Sequence, residues 1–481
     1  MTPTTATAPL SRPLLLSAAA VGGILAPLNS TMLAVALPEL RSDFAVDHSA
    51  IGVLVSSYLI AMAVAQPLGG RLGDQLGRAL LFRWGLAIFL VLSVAGALST
   101  SFAMLVVLRI GQALVGAAII PNGLAMLRES LPPDRLGRSM GLVAAVASMA
   151  AAAGPLIGAA LLAVGPWRLL FLVNVPLAIV GLVCISALRY PERPRRERAA
   201  LDWFGALTFG AILAVVTFTV SSIRADSSVV APIVGGVVLA VLLTLFVRGQ
   251  RTTSVPVVEW RLFRRRSFVS STSYVMFSNL VMYTTLLAIP FFLVEVQGRD
   301  SGTSGALIGT MSVLLAVAAP FGGRVSDRLG RRTPALVGSV VVVIASGMLA
   351  AGVTPEVSVE FLTATLVLLG LGIGFGFGPA TAAATESATP AEAGSAAGAN
   401  SMMRYLGSIL GAGILGAVLT DAGAAPDPGL FRDLFLVMLG VSLLASLSAF
   451  FIDRELHAET ESGAVDPVSA STSLGTAGGD R

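Results

Sequence analysis

Residues 70–78 read GRLGDQLGR, and residues 323–331 read GRVSDRLGR. The two nonapeptides share Gly, Arg, Asp, Leu, Gly and Arg, six of nine positions. Each lies between long apolar runs, so each reads as a tight polar loop joining two membrane helices, and a duplicated loop predicts a duplicated bundle. Glycines permit a sharp reversal and close helix approach, Asp74 is placed to cap the next helix, and Arg78 holds the loop on the cytoplasmic side. Gly70, Asp74, Gly77 and Arg78, with Gly323, Asp327, Gly330 and Arg331, are therefore candidate gating residues. The plain alternative is an ordinary polar turn; two copies at matching places speak against it.

Composition sets the class. The chain is 55% hydrophobic and only 12% charged, with a mean hydropathy of +0.86, which points to a polytopic membrane protein. All 31 basic residues are arginine, as expected from the codon usage of a high-G+C bacterial genome, so the net charge of +4 does not argue for nucleic acid as a partner. The single cysteine, Cys184, lies inside an apolar run, and the two histidines, His48 and His457, are read as lying outside the spans. Neither a disulfide framework nor a Cys-based metal site is available, and no metal or cofactor is expected.

Runs of about 20 apolar residues must cross the hydrocarbon as helices. Fourteen are read, over 13–38, 48–69, 79–99, 103–127, 137–163, 168–189, 201–222, 230–248, 267–295, 303–324, 333–353, 359–384, 394–420 and 430–452. Arginines fall twenty-one to five on alternate loops, which by the positive-inside rule puts both termini in the cytoplasm. Deleting the seventh and eighth spans would leave that parity unchanged, but both are free of charge, and the 253-residue offset between positions 70 and 323 suits six helices plus an inserted pair. The expected organisation is a cytoplasmic tail over 1–12, a six-helix bundle over 13–190, linkers and an inserted pair over 191–266, a second bundle over 267–452, and a disordered tail over 453–481.

The duplicated loop resembles the hallmark motif of the major facilitator superfamily. LNSTMLAVALP (28–38), LRIGQALVGAA (108–118), GPLIG (154–158), WRLLFLVNVP (167–176), LDWFGAL (201–207), GLGIGFGFGP (370–379) and MMRYLG (402–407) resemble its fourteen-helix drug:proton antiporter branch. The resemblance implies an all-α fold of two pseudo-symmetric six-helix bundles plus two inserted helices in the bacterial inner membrane. It also implies proton-coupled efflux of small amphipathic drugs or metabolites by alternating access, with small-molecule substrate, protons and lipid as partners and a monomer as the working unit. Gly141, Gly154, Pro155 and Gly158 resemble the exporter motif of the fifth helix, although helix packing explains them equally well. A membrane enzyme is not expected, because the spans hold no histidine and no carboxylate pair for acid/base work.

Charge at membrane depth defaults to a functional reading. Arg109, with Gln112 one turn on, is expected to line a water-filled cavity or to pair with another helix, and in the family this arginine is implicated in proton coupling. Arg404 is the second deep arginine. Asn122, Asn174, Asn279, Tyr283 and Asn400 are candidate cavity groups, some of which could serve only between helices. Asn29 stands where the branch usually has aspartate, and no span carries a carboxylate at mid-depth. Coupling would then fall to Glu295, Asp202 or another peripheral group, and the cavity should prefer neutral or anionic substrates. The alternative reading is a facilitator or importer of a neutral or anionic metabolite, lipid or siderophore that is not coupled through a carboxylate in the first helix.

Overall fold

In lipid every backbone N–H and C=O must be satisfied within its own segment, and the described residues accordingly fold into helices throughout. The structure, a computed structural model, describes residues 11–188, 190, 201–225, 230–253, 260–389, 392–419 and 428–453. His457, the arginines at 189, 193, 195, 196 and 198, and nearly all of both proposed tails lie outside the described residues.

The helices are α1 (Arg12–Val35), α2 (Leu37–Phe44), α3 (His48–Leu76), α4 (Arg78–Ala97), α5 (Phe102–Ser130), α6 (Pro133–Val164), α7 (Leu169–Leu172) and α8 (Asn174–Ala187). They continue with α9 (Trp203–Ala225), α10 (Val230–Thr252), α11 (Arg266–Phe291), α12 (Ser301–Leu329), α13 (Arg332–Gly352), α14 (Val359–Glu386), α15 (Ala393–Leu419) and α16 (Pro428–Phe450). Among the described residues thirteen helices are long and apolar enough to span, with Leu169–Ala187 taken as one; α9 has 23 residues, of which Trp203–Thr219 forms a shorter apolar helix.

Three local readings change. The run taken as one span over 13–38 ends at Val35, and a separate short helix, α2, follows with Glu39 in its first turn and Arg41 in its last. His48, read from sequence as outside the spans although the second run starts at its position, is the first residue of α3, which Asp47 caps by accepting from the Ala50 amide, and it is buried. The duplicated loop is mostly helix. α3 runs through Leu76 and α12 through Leu329, so the reversal falls on Gly77 (φ 101°) and Gly330 (φ 80°), where a side chain would be strained. Asp74 does not cap α4, which starts at Arg78 after the N-cap Gly77 and has no side-chain cap; it pairs instead with Arg78 one turn on, at 2.6 Å.

Helices α1–α8 pack together, α11–α16 pack together, and the hairpin of α9 and α10 lies over the seam where α3 meets α15. Val64 of α3 fills the space at Gly210 of α9, and Leu213 joins Tyr58, Met62, Tyr405 and Ile409 in one apolar cluster. The glycines of α14 divide between two neighbours: Gly370 and Gly374 admit the backbone of α12 at Met311 and Leu315, while Gly372 and Gly376 admit α13 and Tyr274. Such close approach is how helices associate where lipid offers no hydrophobic drive.

Candidate functional site

Between the two sets of helices is a cavity of about 290 Å³, lined by α1, α3, α5, α6, α11 and α15. Its floor of Ala19, Gly23, Gln66, Leu124 and Val143 lies in the parts of their helices nearer the Gly77–Gly330 face, so the hollow extends toward that face. Its far end is roofed by a bond between the halves, Ser30 Oγ to Tyr283 Oη at 2.9 Å. The wall is apolar apart from a few groups, chief among them Asn279, Ser408, Tyr58, Tyr405 and Arg404.

Arg404 lies over the Tyr405 ring at 4.7 Å, and no carboxylate is among the residues lining the cavity. Arg109 is not on that wall. It is 2% exposed, stacked on Tyr58 at 4.0 Å, and faces a one-water void of about 10 Å³ bounded by Ser30, Tyr58 and Tyr283. Of the two expectations for Arg109, the structure has the second, a pairing with another helix: the Tyr58 ring of α3 stands between it and the cavity. Gln112 Oε1 accepts from Asn29 Nδ2 at 3.3 Å and, at the limit, from Arg109 Nη1 at 3.5 Å, while Gln112 Nε2 donates to Ser93 at 3.0 Å. Arg109 Nε has no partner. A guanidinium held this deep by one weak bond and an aromatic face is costly, and desolvated stacking returns only about 2 kcal/mol.

The other sequence candidates separate by role. Asn279 and Tyr283 are on the cavity wall, with Ser408 Oγ donating to Asn279 Oδ1 at 3.5 Å. Asn122 is not: it donates to the Gly69 and Ala118 carbonyls and fits under Gly73, tying α5 to α3. Asn174 bonds the Leu170 carbonyl at the break between α7 and α8, and Asn400 is buried in α15 away from the lining. Asp202 accepts from the Gly205 amide and from Gln250, pinning α9 to α10.

The opposite end is sealed across the halves. Glu295, on a π-helical turn (Phe292–Val296) that continues α11, accepts from Arg41 Nε at 2.8 Å and is 2.9 Å from His48 Nε2. Its side chain is only 9% exposed. The turn's wider winding re-aims side chains relative to α11 and is a known feature of functional sites. Beside this latch, Gly305 and Gly309 of α12 leave no room for a side chain against Pro155, Leu156 and Ala159 of α6. Gly154 and Gly158 do the same for α6 on α1 at Thr31 and Met32, whereas Gly141 packs on nothing within 4 Å. Pro155 cannot donate to the Ala151 carbonyl, and the Thr31 hydroxyl lies 3.0 Å from that oxygen.

At the Gly77–Gly330 face the pairs of Arg78, Arg331 and Arg265 stay within each half. Arg78 binds Asp74 at 2.6 Å and Glu129 at 3.2 Å, and Tyr190 donates to Glu129 at 2.8 Å, with burial first and this bond second pushing the phenol up to about 12. Arg331 grips Glu386 with two bonds and Asp327 with one at 2.9 Å, and Arg265 reaches Glu392 at 2.9 Å.

Sequence reading missed Arg41, His48, Gly305 and Gly309, whose partners are remote in the chain; Glu295 is 254 positions from Arg41 and 247 from His48. The available signal was that Arg41 is one of only five arginines assigned to the non-cytoplasmic loops.

A profile of the Major Facilitator Superfamily matches residues 19–412 and 300–477. An uncharacterised MFS-type transporter of Bacillus subtilis, YvkA, is 29% identical over 442 residues, covering 92% of this chain and 96% of its own. The multidrug resistance protein Stp of Mycobacterium tuberculosis is 32% identical over 428 residues, 87% of this chain and 78% of that one. The tetracenomycin C resistance and export protein of Streptomyces glaucescens is 30% identical over 411 residues, 84% and 76% of the two chains. Among solved structures, the D-xylose–proton symporter aligns over 92% of this chain and 98% of its own with a TM-score of 0.68 at 14% identity. A bacterial homologue of the human lysosomal transporter Spinster, inward-facing and unoccupied, covers 92% and 97% with a TM-score of 0.65 at 16% identity. At those identities the likeness is one of fold.

Proposed function

Since this chain belongs to the Major Facilitator Superfamily, a family of multi-pass membrane transporters rather than enzymes, we propose that it exports small amphipathic compounds across the bacterial inner membrane by alternating access. The observation that carries this reading is the cavity between the halves, hollow toward the Gly77–Gly330 face and sealed at the other by Glu295, Arg41 and His48. The arginine bias assigns the hollow face to the cytoplasm, and so both termini. Relatives named for resistance and export support the outward direction. One monomer suffices, because its own halves supply the walls on every side.

The cycle then has definite parts. Substrate enters from the cytoplasm and lodges under the Ser30–Tyr283 bond. Opening outward requires the α6–α12 seam and the Glu295 latch to part, while Asp74 and Asp327 take up closing contacts on the cytoplasmic side, a role carried by the family resemblance.

Proton exchange is the finer part of the reading, and one observation favours the second reading, of a carrier not coupled through a carboxylate in the first helix. Asn29 cannot titrate, and the lining holds no Asp, Glu or His. Glu295 is twelve residues beyond Tyr283 along the same helical course, about 18 Å at 1.5 Å per residue, and so meets only the outer face. From there it can gate the pathway.

The test is transport by the purified chain in proteoliposomes carrying a pH-sensitive dye, against neutral, anionic and cationic compounds. The proposal expects substrate movement that Arg109→Ala abolishes; movement of none of the classes would overturn it. Proton movement with substrate would restore exchange.

A further inference from the structure

This inference rests on the export reading and names its substrate class. We propose that the cavity takes an organic anion, with Arg404 as its counter-charge, and that the membrane potential alone drives the anion outward.

Three observations converge. Arg404 is part of the cavity wall, its guanidinium lies over the Tyr405 ring, and no ion pair with a carboxylate holds it among the described residues. Arg109, behind Tyr58, adds a second positive charge with an unpartnered Nε, and the groups beside it are tyrosines and amides. Between them they place positive charge, with no facing carboxylate among the described residues, at the cavity between the halves, which raises the local concentration of anions and repels cations. The cavity also carries aromatic faces at Tyr58, Tyr283 and Tyr405 amid aliphatic wall, and its 290 Å³ is at the lower end of the roughly 300–1,000 Å³ typical of small-molecule sites. The matching ligand is a compact ring system bearing one fixed negative charge.

The drive follows from sign. A cell interior is negative, so an anion leaving it runs down the electrical gradient, at about 2.3 kcal/mol per charge per 100 mV, or about fifty-fold in concentration. A carrier of this kind has no need of a titrating carboxylate, which accounts together for the amide at Asn29 and the bare lining. The step breaks and forms no covalent bond; one negative charge crosses per substrate.

The test uses the full chain in proteoliposomes with the potential set by potassium and valinomycin and no pH gradient. The probes are naphthalene-2-sulfonate, its neutral isostere naphthalene-2-sulfonamide, and ethidium. The inference expects sulfonate flux that follows the sign of the potential, accumulates tens of fold at 100 mV and carries current, with the sulfonamide indifferent to the potential. Arg404→Gln should lower sulfonate flux at least tenfold more than sulfonamide flux, and Arg404→Lys should recover part of that ratio. If Arg404→Gln does not fold, the potential dependence of the sulfonate–sulfonamide pair in the native chain decides alone. Ethidium or sulfonamide transport without sulfonate transport would overturn the inference and leave the export reading standing, as would sulfonate flux that needs a pH gradient and ignores the potential. Movement of none of the three would count against both.

Discussion

The two faces of this molecule use the same kinds of residue to opposite ends. At the outer face, glycines and ionic contacts join one half to the other: Gly305 and Gly309 seat α12 on α6, and Glu295 joins α11 to Arg41 and His48. At the Gly77–Gly330 face, which the arginine bias proposes as cytoplasmic, the turning glycines Gly77 and Gly330 and the pairs of Arg78 and Arg331 close each half upon itself. Contacts that join the halves must break when the halves rock, and contacts within a half travel with it. Under the proposed alternating access, the outer set acts as the switch and the set at the Gly77–Gly330 face as a brace, in this conformation.

The largest effect should come from wedging the switch. Gly305→Leu puts a side chain where Ala159 and the Pro155 carbonyl already stand, so the outer seam cannot close and transport should fall more than tenfold. Flux in proteoliposomes measures this, and a variant working at the native rate would mean the seam never closes in the cycle.

Second in size is the latch. Glu295→Gln removes a charge-assisted bond worth about 1.5–3 kcal/mol and should shift the population toward the outward-open form by roughly tenfold or more. Spin labels on the outer ends of α3 and α11 would then report a longer distance. Asp74→Asn, which breaks a pair inside one half, should leave the same distance distribution in place; equal shifts in both would erase the distinction between switch and brace.

How far this was legible beforehand depends on the range of the interaction. Span positions follow from local apolar length: helix is found in each of the fourteen stretches read from sequence, and thirteen helices among the described residues are long and apolar enough to span. The cavity wall was found at Asn279, Tyr283 and Arg404 because polar groups in apolar runs stand out. Asn122 and Asn174 stand out equally and bond to backbone carbonyls instead, since periodicity says nothing about which neighbour a face meets. Tyr58 was invisible as the ring that carries Arg109, because a tyrosine in an apolar span reads as packing. Gly305 and Gly309 look like any small residues until α6 is laid against them. The π-helical turn that presents Glu295 has no sequence mark beyond Pro290 in the turn before it.

The smallest effect belongs to the start of α12, beside the switch. Asp300 caps it through the Thr303 amide at 2.9 Å, and that bond, before any other cause, holds the carboxyl below its ordinary value. A lowered folded value means the cap stabilises above the ordinary pKa of about 3.9 and is lost as pH falls below that through the folded value. Asp300→Ala should cost about 1 kcal/mol at neutral pH and speed amide exchange in the first turn of α12 alone; exchange unchanged there would remove the cap from the account.

The most direct measurement is a reversible lock on the outer face. Gly52 of α3 and Gly416 of α15 approach so closely that a side chain at Gly52 would be 3.8 Å from the Gly416 Cα, within reach of a disulfide. Cysteines at both positions, with the buried Cys184 replaced by serine, can be oxidised and reduced in proteoliposomes. The account predicts that oxidation arrests transport and reduction restores it, because the halves must part there in every cycle. Fully cross-linked protein that transports at the reduced rate would contradict it.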